Sequence, residues 1–386
     1  MLPAELTGLT AEQLDIKNAA REFAEKEIPK YSKEYDEKEE FPWKLWKDAC
    51  KLGFVGVFID EEFGGQGLGY LENALIWEEF HRVDAGCGFA ALGTTIGSET
   101  LMIHGTEEQK SLFLAPLPKG KAIMAIMITE PHAGSDVAGI RTSARKEGDY
   151  WVINGTKTFS TNGSIADYAI VLCRTEDHGE RHRRFSTFLV DLSSDGVSRR
   201  KLTGKLGMRA SDTAEVHFDD VHVPDENLMG ERGRGFYHIM DFFNRSRTWV
   251  AAQAVGAAQG ALELAISYAR ERAAFGKTIS HFQAIQFKIA DMATKIEAAR
   301  SLTYRAAAAI DRGAISPELS AMAKWYAAKV AVEVVDEALQ IHGGYGYFSD
   351  YEISRFYRDV KALEIYEGTK EIEKWLIGRR MLGVKS

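Results

Sequence analysis

Near the end of the 386-residue chain, Glu364-Ile365-Tyr366-Glu367-Gly368-Thr369-Lys370-Glu371-Ile372 sets a lone carboxylate, Glu367, among apolar and aromatic neighbours and follows it with a glycine. Helical spacing runs upstream and resumes downstream at Ile372, Trp375, Leu376 and Arg379. Held out of bulk water at such a junction, a carboxylate has its charged form disfavoured and its pKa raised towards the range of a general base. The plainer alternative is a solvated glutamate before the Thr369 N-cap of a last helix. Other motif fragments fail their own chemistry. Gly276-Lys277-Thr278 has the end of a phosphate loop, but Glu271 stands where its first glycine belongs. Gly64, Gly65, Gly67 and Gly69 lack the final spacing of a dinucleotide fingerprint and read as a turn. His178 and His182 lack the glutamate of a His-Glu-x-x-His site, so no metal centre is expected.

The elements that must position Glu367 divide the chain into three: residues 1–119, 120–232 and 233–386. Thr10-Ala11-Glu12-Gln13 has the form of a capping box, and Ile16, Ala19, Ala20 and Phe23 follow at helical spacing. Further helical patterns include Trp43, Trp46, Ala49 and Cys50, then Leu71, Ala74, Leu75 and Glu78, then residues near 90–104. Pro116, Pro118 and Gly120 mark a boundary, beyond which the period becomes strand-like. Asn154-Gly155 predicts a hairpin turn between β-prone runs, and the region reads as an antiparallel β domain with a solvated loop at 176–184. After Pro224 and the glycines at 230, 233 and 235, helices are expected at roughly 236–270, 281–312, 317–341 and 370–381, a four-helix bundle. The fold class is therefore α+β, with a helical N-terminal domain, a β domain and a C-terminal bundle.

Net charge is −8 at 45% hydrophobic and 27% charged residues, which favours neither nucleic acid nor an anionic membrane as partner. Three scattered cysteines, Cys50, Cys87 and Cys173, fit neither a disulfide framework nor a metal knot. Met-Leu-Pro-Ala-Glu-Leu-Thr does not read as a signal peptide, no apolar run reaches membrane-spanning length, and Val384-Lys385-Ser386 is no peroxisomal address. A cytoplasmic protein is the expectation.

Three separated motifs add a resemblance. Thr129-Glu130-Pro131-His132-Ala133-Gly134-Ser135-Asp136-Val137-Ala138-Gly139, then Gln340-Ile341-His342-Gly343-Gly344-Tyr345-Gly346-Tyr347 through Arg358-Asp359, then Ile365-Tyr366-Glu367-Gly368-Thr369, stand in the order of one family. Over essentially its whole length the chain resembles the acyl-CoA dehydrogenases. The resemblance implies FAD as cofactor, an acyl-CoA substrate, an electron-transfer flavoprotein as partner, and a homotetramer built as a dimer of dimers. It implies that Glu367 takes the α-proton of the thioester while flavin N5 takes the β-hydride. Removing a hydride from a saturated carbon needs an electron sink of this kind.

Residue by residue, the resemblance puts Ile126, Met127, Ile128, Thr129, Gly134 and Ser135 along the flavin ring, with Phe159, Ser160 and Thr161 covering it. Phe159 stands where many relatives have tryptophan. Arg272, Phe275 and Gln283, with Gln340, His342, Gly343 and Gly344, would hold FAD across a subunit interface, joined by Thr369 and by Glu371, which replaces a common glutamine. Ser135, Asn244, Arg247, Tyr366 and Gly368 would contact substrate. Some relatives carry the base just before the arginine matched by Arg247; here that residue is Ser246, which leaves Glu367 the candidate. In the segment facing the acyl group, roughly 85–100, no charge stands ready to pair with a second carboxylate, so a free dicarboxylate is disfavoured. Its small residues suit a branched or cyclic acyl group, or helix packing. Two other classes remain on this fold: an oxygen-using flavin oxidase, and a non-catalytic assembly protein. Peroxide production marks the first, and loss of flavin the second.

Overall fold

A computed structural model describes residues 8–384; the readings of the first seven residues and of Lys385 and Ser386 fall outside it. Among the described residues seven α-helices come first: α1 (Ala11–Glu27), α2 (Ser32–Lys38), α3 (Trp43–Lys51), α4 (Tyr70–Val83), α5 (Ala85–Leu92), α6 (Ser98–His104) and α7 (Glu107–Phe113). Thr10 caps α1 as its sequence requires, accepting from Gln13 N while Gln13 Oε1 accepts from Thr10 N at 3.0 Å. The glycines at 64–69 form turns, with Gly64 and Gly67 in the left-handed region.

Eight strands follow: β1 (Met124–Met127), β2 (Ser143–Glu147), β3 (Tyr150–Thr161), β4 (Tyr168–Arg174), β5 (Phe185–Asp191), β6 (Val197–Lys201), β7 (Thr213–Pro224) and β8 (Leu228–Met229). They form one sheet in the order β6-β7-β3-β2-β4-β5-β8, with β1 on β4. The sheet is mixed rather than purely antiparallel. β1 runs parallel to β4, pairing Met124 with Tyr168 through Met127 with Val171, because β2 and β3 carry the chain back between them. Asn154-Gly155 does not make the hairpin. Gly148 and Asp149 do, joining Glu147 to Tyr150 directly opposite, with Gly148 at φ +58°. Asn154-Gly155 instead sits at a bulge in β3, where the Asn154 side chain exchanges hydrogen bonds with Asp220. A Cβ on Gly155 would stand 2.4 Å from Thr142 Oγ1, so close packing against another segment, not a turn, requires that glycine. The 176–184 loop is largely exposed, and His182 stacks on Phe236 at 4.3 Å.

The chain then enters α8 (Gly235–Glu271), a two-residue hairpin of β9 (Ala273–Ala274) and β10 (Lys277–Thr278), α9 (Gln283–Asp311), α10 (Pro317–His342), α11 (Ile353–Asp359) and α12 (Lys370–Met381). α8, α9 and α10 pack on one another and α12 lies on α10, but α4 also runs along α8. Gly256 and Gly260 make that possible: a Cβ on either would meet the backbone oxygen of Glu78 or Arg82 at 2.1 and 2.0 Å. All three cysteines are buried and free. No described helix is long and apolar enough to cross a membrane.

Candidate active site

Glu367 sits in the short link between a 3-10 turn (Val360–Glu364) and α12, with φ at +56°. A non-glycine residue held in the left-handed region stores backbone strain, the kind that clusters at working sites. Thr369 starts α12 by accepting from Ile372 N at 3.4 Å, so the link is pinned at its far end by an ordinary N-cap. Gly368 between them has φ +103°, and a Cβ there would stand 2.1 Å from Glu373 Oε1. The cap is therefore real, but the glutamate before it is not simply solvated.

Glu367 Oε2 accepts from Ser246 Oγ at 2.7 Å. The side chain is half-buried between α8, α10 and α12. Burial pushes its carboxyl up to about 7; Ser246, Arg247 and Lys324 pull the other way, and the nearby carboxyl of Glu99 adds to the rise. Arg247 is buried rather than a solvated helix arginine. Its Nε lies 3.0 Å from Glu373 Oε1 and 3.4 Å from the Glu367 carbonyl oxygen. Lys324, fully buried on α10, donates to the Gly368 carbonyl at 2.5 Å. Burial holds Lys324 below the usual lysine range and Glu373 above the usual carboxylate range. Tyr366 donates to Gln253 Oε1 at 2.5 Å, and its ring meets Phe89 edge-on at 6.1 Å. The 366–368 link is thus held from three helices, α5, α8 and α10, by groups distant in sequence.

A second set of expected residues assembles beside β3. Ile126 and Met127 are buried in β1, and Thr129 is bound through its carbonyl to Thr158 N at 2.9 Å. Gly134 and Ser135 are exposed. A register shift between Lys157 and Ser160 turns Phe159 out of the sheet at φ +54°, leaving its ring 69% exposed. Thr161 ends β3, and Ser160 Oγ is buried with no partner. Asn244 is half-buried on α8, where its carbonyl accepts from Ser320 Oγ at 2.7 Å.

The remaining expected residues lie elsewhere. Arg272, Phe275 and Gln283 follow the far end of α8, about 25 residues beyond Arg247, on the order of 37 Å along the helix. Arg272, His342, Gly343 and Gly344 line one cleft with Tyr268 and Tyr345, and Gln340 is exposed near it on α10. Glu371 is exposed on the first turn of α12. Within one chain the 272–283 and 340–344 residues do not join Glu367, whereas Glu371 lies one helical turn from it. Phe275 is 95% exposed at φ +52°.

Some residues of the site carry no local signal. Lys324 and Glu373 read as ordinary helix-surface charges, and only tertiary packing buries them. Glu99 lies in the 85–100 segment, where nothing in the adjacent sequence singles it out; it is 2% exposed and bound to Trp249 Nε1 at 3.0 Å.

Three family models match the chain, covering the acyl-CoA dehydrogenase N-terminal domain over residues 10–121, the middle domain over 125–221 and the C-terminal domain over 233–382. The chain belongs to the acyl-CoA dehydrogenase family. A 3-(aryl)acrylate reductase of Clostridium sporogenes is 41% identical over 95% of this chain and 97% of its own. A subunit of the caffeyl-CoA reductase-Etf complex of Acetobacterium woodii is also 41% identical, with the same coverage. The solved butyryl-CoA dehydrogenase of Megasphaera elsdenii shares 38% identity at a TM-score of 0.94, covering 97% of this chain and 99% of that one.

FAD is the cofactor of this family, and the residues present suit it. The aromatic faces of Phe159 and Phe275 stand open to a planar ring, and Cβ positions at Gly134, Gly343 and Gly344 meet nothing within 4 Å, leaving backbone that a phosphate or ring can approach closely.

Proposed function

We propose that this acyl-CoA dehydrogenase forms a 2-enoyl-CoA from a saturated acyl-CoA, with Glu367 taking the α-proton and electrons passing to an electron-transfer flavoprotein. The observation that carries this reading is a carboxyl raised to about 7 on a strained backbone link, held by Ser246. FAD, when bound, supplies the two-electron sink for the hydrogen leaving the β-carbon. Thr129, Phe159, Ser160 and Thr161, with Ile126, Met127, Ile128, Gly134 and Ser135, border the flavin ring in this proposal. Arg247, Tyr366, Gly368, Asn244 and Ser135 line the path of the thioester. Burial of Glu367 among protein groups keeps water from competing for the α-proton and makes the carboxylate a stronger base. The reductase and Etf-complex names of the two 41%-identical relatives support the flavoprotein partner, and they put enoyl reduction, with Glu367 returning the proton, within the same proposal.

The acyl group is short or medium, branched or cyclic. A free dicarboxylate is disfavoured, and the buried carboxyl of Glu99 adds a like charge against it. Anaerobic titration of flavin absorbance with straight, branched, cyclic and dicarboxylic CoA thioesters tests the reading: bleaching with negligible peroxide on reoxidation is expected. Rapid peroxide formation marks an oxidase, and a stable flavin-free protein an assembly factor.

Arg272, Phe275, Gln283, Gln340, His342, Gly343 and Gly344, with Thr369 and Glu371, complete the cofactor set in this proposal, the residues around the 272–283 and 340–344 segments serving a neighbouring subunit's FAD. The exposure of Phe275 at 95%, Tyr347 at 84% and Phe348 at 66% supports burial of this face in an assembly. Light scattering on the eluted holoprotein should give four times the chain mass; a monomer retaining FAD removes the shared site.

A further inference from the structure

Trp249 lies nearly one helical turn beyond Ser246 on α8. Its indole stacks on Trp77 at 4.7 Å and neighbours Phe89 at 6.3 Å, whose ring meets Tyr366 beside the proposed base. This aromatic wall borders a cavity of about 10 Å³ lined in part by Asn73, Trp77, Thr95, Ile96, Glu99 and Trp249. Such a space holds about one water-sized group.

Both indole N–H groups around it are used. Trp77 Nε1 donates to Asn73 Oδ1 at 3.1 Å, and Trp249 Nε1 donates to Glu99 Oε1 at 3.0 Å. Glu99 Oε2 has no partner, and among the described residues lining the cavity it is the buried side-chain polar atom left over. A carboxyl oxygen 2% exposed and unpaired is costly to keep unless something binds it.

We propose that Glu99 is a specificity-determining residue, selecting acyl thioesters that carry a hydroxyl at the distal end of the acyl group, seated in this cavity against Oε2. The inference rests on the reading of Glu367 and Tyr366 as the thioester end of the same site. A hydroxyl fits the available volume. It donates to a carboxylate and accepts from a carboxylic acid, so it pairs with Glu99 in either form. Burial pushes Glu99 up to about 7, and both forms are therefore present near neutral pH. A methyl end leaves Oε2 unpaired, and a second carboxylate meets like charge.

The test is the rate of anaerobic flavin bleaching by matched thioester pairs: straight-chain acyl-CoAs of increasing length and 3-arylpropanoyl-CoA, each with and without a terminal hydroxyl. The best hydroxylated member should exceed its unsubstituted partner by about tenfold or more in kcat/KM. Glu99→Leu should abolish that ratio by slowing the hydroxylated member alone, while the isosteric Glu99→Gln keeps most of it. Because the ratio is internal to each protein, a general loss of packing moves both members together and leaves it unchanged. A ratio near one in the wild type, or one that survives Glu99→Leu, overturns the inference and makes Oε2 the seat of a buried water. If no thioester bleaches the flavin, the reading of Glu367 falls and this inference with it; bleaching without a hydroxyl preference removes this inference alone.

Discussion

Glu367→Gln should fold, retain FAD and lose substrate-dependent flavin bleaching by about 10²–10⁴-fold, the usual contribution of a positioned general base. The amide keeps the shape and can still pair with Ser246 Oγ, so binding should survive while proton removal does not. The wild-type rate should rise with pH through about 7, because only the ionised carboxylate accepts the α-proton and burial holds its pKa there. The Ser246 hydrogen bond favours the charged form, so Ser246→Ala should move the midpoint upward by about one pH unit. Stability carries the same sign. A carboxyl whose folded-state pKa lies above its ordinary value costs stability as pH rises from that ordinary value to about 7, and Glu367→Gln is freed of that cost. Near-normal bleaching by the amide variant in stopped flow would remove Glu367 from the role.

The largest stability loss is expected from Lys157→Met. Lys157 is fully buried in β3, donating to Glu130 Oε1 at 2.8 Å and to the Ile128 carbonyl at 3.0 Å. Glu130, itself 4% exposed, also accepts from Arg141 N at 2.7 Å and Thr142 N at 2.9 Å. Burial would raise the Glu130 pKa, but the Lys157 charge and these N–H groups outweigh it and hold the carboxyl below its usual range. Methionine fills the space and leaves a buried carboxylate without its cation, at a cost of about 3–5 kcal/mol. Thermal unfolding should show the loss. Because this pair ties the 128–130 loop to β3, FAD should be released more readily too. Adding Glu130→Gln should recover part of the stability, since removing both charges costs less than removing one. A single variant as stable as wild type would mean that Glu130 protonates without penalty.

The sequence carried the capping box, the N-cap and the helix spacing because these depend on neighbours a few residues apart. Thr10, Thr369 and the α3 pattern from Trp43 to Cys50 fold as their local chemistry requires. The same local reasoning failed at Asn154-Gly155. The dipeptide has strong turn chemistry, but the glycine is there to let β3 pass close to Thr142, a contact between residues the turn rule never compares. The parallel pairing of β1 with β4 was hidden for a similar reason: strand direction depends on which connection closes the sheet, not on the composition of either strand.

At the site, the sequence by itself determined that Glu367 is a carboxylate at a glycine-followed helix junction, within a family whose motifs surround it. Only the tertiary structure decided that this carboxylate is a partly buried group with a raised pKa rather than a solvated cap neighbour. Its raised pKa comes from burial and from a balance of Ser246, Arg247, Lys324 and Glu99, which lie from about 40 to 270 residues away along the chain. Glu99, Lys324 and Lys157 read alike in sequence, as charges on ordinary elements; packing alone takes each out of water.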